Sequence, residues 1–152
     1  MISKEFLLSG KGVERHKGTI FTLEIPQNFQ DENKIPAHYT YKLTYTFSSK
    51  WGEKWFLWLL AGPDNTSDYT YLGMMNSRSG EFIYSRKSPK KNWPIALVNR
   101  ALVNIFNDTE ERISAAGFEI HHVGKCGRCG RRLTVPESIK SGIGPYCKGK
   151  IK

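Results

Sequence analysis

The sequence predicts an α+β fold: an antiparallel meander sheet of about five strands, a C-terminal helix packed on that sheet, and a small module that contains the cysteines. Two observations predict it. The hydrophobic period changes from two to between three and four after Pro94, and every cysteine lies in one basic, glycine-rich stretch of the sequence. We therefore divide the chain into a body of residues 1–120 and a module of residues 121–152.

The strands of the body are predicted by alternation of apolar and polar residues. In YTYKLTYTF (39–47) the odd positions are aromatic or apolar, with threonine and lysine between them. TIFTLEI, YTYLGMM and EFIYS are shorter runs of β-favouring residues, and the turns between runs contain glycine, proline or asparagine. The segment 55–61 is apolar at every position, which predicts a central strand buried on both faces.

Apolar residues after Pro94 recur at helical spacing, at Ile95, Val98, Leu102 and Ile105. Proline suits the first turn of a helix, and Asn92 or Trp93 is expected as its cap. A break is expected near Asn107, because the acidic residues that follow suit a helix start better than a helix end. The capping-box pattern at 108–111 is expected to begin a short second helix.

Composition places the chain among folded proteins of ordinary domain size. It has 152 residues, of which 39% are hydrophobic, enough to bury a real core. The longest apolar run, residues 55–62, is far shorter than a membrane span, and no secretion signal is visible at the N-terminus. Three cysteines in a single motif suit metal binding in a reducing compartment, so a cytoplasmic location without membrane association is expected.

The excess positive charge is concentrated in the module. From 125 to 152, eight basic residues against one acidic residue give +7, while fifteen against thirteen give +2 in the rest of the chain, and together these make the total of +9. This asymmetry predicts a module that faces an anionic partner.

The cysteines have the spacing of a zinc module. Cys126 and Cys129 form a Cys-x2-Cys knuckle whose glycines allow a tight turn, and Cys147 lies at a normal distance for the second half of the site. Between the halves, the pattern at 134–137 is another capping box, so helical turns are expected over 136–141. Cys147 is expected in a final helical turn whose N–H groups favour a thiolate. These features predict Zn²⁺ in a zinc-ribbon-like or treble-clef-like module.

The fourth ligand cannot be a cysteine, and His122 is the preferred candidate because a His-x3-Cys spacing resembles those of zinc fingers. His121 is the second candidate. If neither binds, a carboxylate, a water or a partner chain completes the site, and only then is a catalytic zinc conceivable. A redox Cys-x-x-Cys pair is the competing interpretation, but the strand-to-helix context that such pairs need is missing.

The basic residues of the module are candidate phosphate contacts: Arg128, Arg131, Arg132, Lys140, Lys148 and Lys150. A second basic cluster, with Arg86 and Lys87, precedes the long helix and pairs charge with Trp93, which can stack on a base. Ordinary solvated surface is the alternative for each of them. The stripe Tyr39, Tyr41 and Tyr45 is interpreted as the core face of a strand and not as a base-stacking surface.

The run CGRCGRRLTVPESIKSGIGPYC (126–147) closely resembles the C-terminal signature of a family of uncharacterised small proteins common in bacteriophages and mobile elements. Its pattern is roughly C-x-x-C-G-R-x-L-T-x-P-x-S-x-x-x-G-x-G-P-x-C, and the body resembles phage proteins that carry this tail. The resemblance implies a zinc-binding module that uses Cys126, Cys129 and Cys147, with no established activity and no defined fourth ligand.

Three functional interpretations follow. The first is a phage-type accessory protein that binds DNA or RNA through the basic zinc module. The second is an inhibitor or adaptor that binds a host protein, such as a nuclease or an anti-phage defence complex. The third is a hydrolase that would use Asp64, Asn65 and Asp68 with His16 or His38; since Gly-Pro-Asp-Asn is also an ordinary turn sequence, we do not expect an enzyme.

Overall fold

The computed structural model describes residues 2–64, 67–84 and 92–151. Within these ranges, six strands form one antiparallel sheet: β1 (Thr19–Glu24), β2 (His38–Ser48), β3 (Gly52–Leu60), β4 (Tyr69–Met75), β5 (Phe82–Tyr84) and β6 (Glu119–His122). Their order across the sheet is β5-β4-β3-β2-β1-β6, with β2 and β3 in the middle.

The meander of β1 to β5 agrees with the sequence prediction, but the count of about five strands omits β6. This four-residue strand returns after the helices and pairs antiparallel with β1, so that Phe21 lies opposite His122. Its short sequence, EIHH, has one fully buried apolar residue, Ile120. So short a segment carries almost no alternation of its own, and β1 supplies the hydrogen-bonding partner that makes it a strand.

The described residues form six helices: α1 (Lys4–Leu7), α2 (Gln27–Asn33), α3 (Trp93–Phe106), α4 (Glu111–Ala115), α5 (Pro136–Ser141) and α6 (Pro145–Lys148). The predicted long helix is α3, which begins after Asn92 and ends at Phe106, next to the break expected near Asn107. Neither α1 nor α2 was predicted. Phe6 and Leu7 of α1 are nevertheless completely buried, so this single turn belongs to the core.

Both predicted capping boxes are wrong. Glu110 occupies the cap position of α4, and Asp108 adopts a left-handed conformation with φ 55° at the end of α3. The hydroxyl of Thr109 donates to Asn104 Oδ1 at 2.8 Å. Val135 occupies the cap position of α5, so Thr134 lies one residue too early, and the proline that follows Val135 starts the helix without a side-chain cap.

The core lies on one face of the sheet, which we call the inner face. Tyr41, Leu43 and Leu57 from the central strands are completely buried together with Val98 and Leu102 of α3. The tyrosine hydroxyl donates to the Pro94 carbonyl at the start of α3. The interpretation of the tyrosine stripe in β2 as a core face is therefore confirmed for its two buried members, Tyr41 and Tyr45.

The opposite, outer face departs from the prediction that β3 is buried on both sides. Phe56, Trp58 and Leu60 alternate with the buried residues of β3 and are only half-buried. On the neighbouring strand, Tyr71 is 37% exposed. An apolar run alone cannot distinguish a strand covered on both sides from one with an aromatic surface facing solvent. Among the described helices, none is both long and apolar enough to cross a membrane.

Candidate metal centre

Cys147, distant in sequence from the Cys126–Cys129 knuckle, lies beside it in the module. Lys125 and Arg132 pair as an isolated antiparallel bridge, and the turn between them holds Cys126 and Cys129. Cys126 N–H donates to the Arg131 carbonyl at 2.8 Å and fixes this knuckle. Cys147 lies in α6, as expected. The three Sγ atoms all lie within 4.8 Å of one another.

This arrangement fits a metal ion that prefers sulfur ligands. Metal–thiolate bonds of about 2.3 Å in a tetrahedron put sulfur atoms about 3.8 Å apart, so the thiols need only a small contraction to share one ion. Cys126 and Cys147 are buried and Cys129 is exposed, and all three are free of disulfides. The cysteine residues can therefore hold a metal ion without rearrangement of the fold.

The environments of the cysteines differ. Burial tends to raise the pKa of Cys126, but hydrogen bonds from backbone N–H groups, that of Gly144 first, outweigh it and lower the pKa. Gly144 N lies 3.3 Å from the sulfur. For Cys147, burial, followed by a hydrogen bond with Cys129 and the nearby Cys126 charge, raises the pKa to about 12. Without a bound cation, burial and the neighbouring thiols thus oppose a Cys147 thiolate, and the favourable effect expected of the helical turn stays a prediction.

The structure does not bring His122 to the cysteines. Its Nδ1 accepts a hydrogen bond from Gly124 N–H at 2.9 Å, and its Nε2 donates to the Ile139 carbonyl. Because β6 alternates, its neighbour His121 points to the outer face, where its Nε2 lies 3.2 Å from Glu119 and 3.6 Å from Glu24. Among the described residues, the cluster of potential metal ligands that contains the three thiols includes neither histidine. Both ring nitrogens of His122, the preferred fourth ligand of the sequence analysis, are engaged elsewhere, and its role as a ligand stays a prediction.

The thiols open onto a cavity of about 490 Å³. Arg131 and Arg132, which follow the knuckle, line this cavity, as does Tyr146, whose side chain is 78% exposed. Among the residues that the structure describes, no carboxylate lines it. A fourth ligand from outside the described residues would therefore approach through a basic and partly apolar opening.

The knuckle is anchored to the body by residues that the sequence analysis did not connect with it. The Gly127 carbonyl accepts hydrogen bonds from His16 Nε2 at 2.8 Å and from the Thr19 hydroxyl at 2.7 Å. Arg128 donates to the carbonyls of Ser9 and Lys11 at 3.2 and 3.1 Å. Arg128 is thus used for docking within the chain. Its role was hidden because its partners lie more than a hundred positions earlier in sequence.

The other predicted phosphate contacts have different surroundings. Lys148 forms an ion pair with Glu5, and Lys150 Nζ lies 5.0 Å from the centroid of the Tyr146 ring. Lys140 lies on the other side of the module, where it lines a cavity with His121 and His122. Arg86 and Lys87 lie outside the described residues.

Among the described residues, the hydrolase candidates Asp64, Asp68, His16 and His38 belong to no cluster of three potential metal ligands. Asp68 Oδ2 accepts a hydrogen bond from Asp64 N–H at 2.7 Å within the turn that precedes β4. His16 is buried beneath the knuckle, and Asn65 lies outside the described residues. These contacts support the turn interpretation of the sequence.

A comparison with known families finds a match over the C-terminal part of the chain. Residues 117–152, which contain β6 and all three cysteines, match the model of a family of unknown function (DUF6011). No curated protein and no solved structure matches the chain. The family has no assigned function, so the chemistry of the site itself is what bears on the function of this chain.

Proposed function

We propose that Cys126, Cys129 and Cys147 bind Zn²⁺ as thiolates and that the module they stabilise binds nucleic acid. The proposal rests mainly on Arg131 and Arg132, which are exposed beside the cysteine cluster. Both line its cavity, and among the described residues no carboxylate does. The resemblance to a phage family favours an accessory protein of this kind that acts in the host cytoplasm.

The proposed role of zinc is structural. The segment 121–152 buries few apolar side chains, so metal binding supplies free energy that its small core cannot. An ion bound to all three thiols would join the knuckle to α6 and would neutralise two of the three thiolate charges. It would thereby fix the direction in which the arginine pair points.

Charge and exposure support nucleic acid as the partner. None of the ion pairs among the described residues involves Arg131 or Arg132, so both guanidinium groups are available to phosphates. Tyr146 offers an exposed ring next to them, and aromatic rings stack on bases of any sequence. Most of the net charge of the chain lies in this module. These features favour backbone-directed binding with little sequence preference.

The test is binding of labelled oligonucleotides to the zinc-loaded protein across a salt series. Each phosphate contact contributes about 0.7–0.9 to the slope of log affinity against log salt, so R131A/R132A is expected to reduce the slope by about 1.4–1.8. R100A/R112A removes the same charge from two exposed arginines of the body and is the matched control. It is expected to leave the slope nearly unchanged.

Two results would contradict the proposal. If both double variants lower the slope equally, only net charge matters and the module has no special role. If the wild-type protein binds no oligonucleotide even at low salt, the basic surface faces a protein. A single stoichiometric host protein that survives nuclease treatment in a pulldown would then support the inhibitor or adaptor interpretation.

A further inference from the structure

Three lysines converge where the knuckle meets the sheet. Lys17, Lys42 and Lys125 line a cavity of about 350 Å³ together with Tyr69, and Cys126 and Gly130 of the knuckle form part of its wall. We call this the lysine cavity. Among the described residues no carboxylate lines it. A cleft lined by charge of one sign raises the local concentration of counter-ions, so this cavity favours an anion.

The position of Lys42 depends on a close approach to Gly18. A Cβ atom added at Gly18 would lie 2.3 Å from Cγ of Lys42, and Gly18 has φ 125°, a conformation that side chains disfavour. The lysine stem therefore passes directly over the backbone of Gly18 and reaches the outer face. There its Nζ lies 4.3 Å from the centroid of the Tyr69 ring and 5.4 Å from that of Trp58.

Beyond Lys42 lies a group of aromatic residues, Phe56, Trp58, Tyr69 and Tyr71, which we call the aromatic face. Register places Lys42 opposite Trp58 and Trp58 opposite Tyr71, so the three side chains form a row across β2, β3 and β4. The Trp58 and Tyr71 rings lie 5.2 Å apart at 61°, and Phe56 lies 5.7 Å from Tyr71 at 71°. Aromatic pairs across strands also stabilise sheets by themselves, but that role does not require neighbouring cations.

Acidic and basic residues lie at opposite ends of β1. Ligand atoms of Glu24, Glu119 and His121 lie within 4.8 Å of one another at the last residue of β1, whereas Lys17 and Gly18 of the lysine cavity immediately precede its first residue. An anionic chain on this face is therefore repelled at one end of β1 and attracted at the other. The backbone bridge between Lys125 and Arg132 places the lysine cavity next to the arginine pair.

We propose that single-stranded nucleic acid binds across the outer face of the sheet, with a phosphate in the lysine cavity and bases stacked on Trp58 and Tyr71. This inference rests on the proposed function and specifies its substrate class. Bases in a duplex are stacked on each other and cannot lie on a sheet surface, whereas unpaired bases stack readily on exposed aromatic side chains. The protein is thus expected to prefer single strands to duplex.

The test compares two double variants in binding to a labelled oligothymidylate of about twelve nucleotides and to a duplex of equal length. K42M/W58L removes one cation and one ring but keeps the apolar stems, and should weaken binding to the single strand at least about tenfold. The matched control is K50M/W51L, because Lys50 lies 5.2 Å from the centroid of the exposed Trp51 ring at the β2–β3 turn. This control should bind within about twofold of the wild type.

The outcomes separate the two proposals. Weaker binding by R131A/R132A with wild-type binding by K42M/W58L would overturn this inference and leave the proposed function intact. The reverse result would support the outer face and contradict the arginine pair. Equal affinity for duplex and single strand would overturn the inference, and no binding of either by the wild type would overturn both proposals.

A second measurement does not depend on the folding of a variant. Ultraviolet crosslinking of the wild-type protein to an oligonucleotide with bromouracil bases, followed by mass spectrometry, reports which residues contact bases. Crosslinks at Trp58 or Tyr71 are expected. Crosslinks confined to residues 121–152 would overturn the inference while supporting a nucleic-acid-binding module.

Discussion

His16 donates a hydrogen bond from Nε2 to the carbonyl of Gly127 at 2.8 Å and thereby joins the body to the middle of the cysteine knuckle. A carbonyl can only accept, so Nε2 carries the proton. The other ring nitrogen, Nδ1, accepts from Tyr45 N–H at 3.2 Å. Because one ring nitrogen donates and the other accepts, the imidazole of His16 must be neutral. The effect of the surroundings on its pKa also favours the neutral form. Burial lowers the pKa of His16, the Gly127 bond raises it, and the charge of Arg128 lowers it again, for a net decrease.

The first prediction concerns stability against pH. Because the folded state lowers the pKa of His16 below 6.5, the unfolded chain binds more protons as the pH falls below that value. The contribution of His16 to the free energy of unfolding is thus complete above pH 6.5 and is lost as the pH falls through the lowered pKa. As the pH is lowered over this range, the zinc-loaded wild type should lose more stability than His16→Gln does. The fall in the thermal unfolding temperature of each protein measures this loss.

Acid also protonates thiolates and releases zinc, so the two proteins are compared at pH values where each is shown to retain its zinc. His38→Gln, at an exposed position, is the matched control for removal of an imidazole. Identical pH profiles for His16→Gln and the wild type would show that the ring does not carry the predicted linkage.

The second prediction concerns the space around Gly127. A Cβ atom at this position would lie 2.4 Å from the Ser9 hydroxyl oxygen and 3.0 Å from Phe6. Gly127→Ala should therefore force the knuckle away from the body and lower the free energy of unfolding by about 1–3 kcal/mol. At Gly149 the nearest atom is 3.7 Å away, and Gly149→Ala should change stability by less than about 0.5 kcal/mol. Urea denaturation measures both; equal values would contradict the close docking of the knuckle.

The parts of the structure that sequence patterns predict are those fixed by local periodicity or spacing. Alternation predicts β2, helical spacing predicts α3, and Cys-x2-Cys with a distant third cysteine predicts the cluster. The patterns that predict β2 and α3 lie within those elements, and the cysteine pattern lies within one short stretch of the chain. The division of the chain at residues 120 and 121 stays a prediction.

Contacts between distant segments left no signal in the sequence. His16 was considered only as a hydrolase candidate and Arg128 as a phosphate contact, yet each hydrogen-bonds to a segment more than a hundred residues away. The orientation of His122 depends on the pairing of β6 with β1, which a four-residue strand does not encode by itself. The aromatic face was hidden because uncovered and covered apolar strands have the same composition.

The third prediction concerns metal ligands. Since both ring nitrogens of His122 are engaged outside the cluster, His122→Ala should retain one zinc per chain and lose about 1 kcal/mol of stability from its hydrogen bonds. Cys126→Ser should weaken zinc binding by roughly a hundredfold or more, because a few ligands share about 10–16 kcal/mol of binding free energy. Competition with a chelator measures both affinities. Equal losses in the two variants would restore the histidine as a ligand.

The fourth prediction concerns Arg128, which was expected to contact phosphates but donates to the carbonyls of Ser9 and Lys11. Removing the guanidinium leaves these carbonyls without that donor, so Arg128→Ala should lower the free energy of unfolding by about 1–2 kcal/mol. The slope of oligonucleotide affinity against salt should stay near the wild-type value, in contrast to R131A/R132A. A slope reduced by about one with unchanged stability would instead return Arg128 to the nucleic-acid surface.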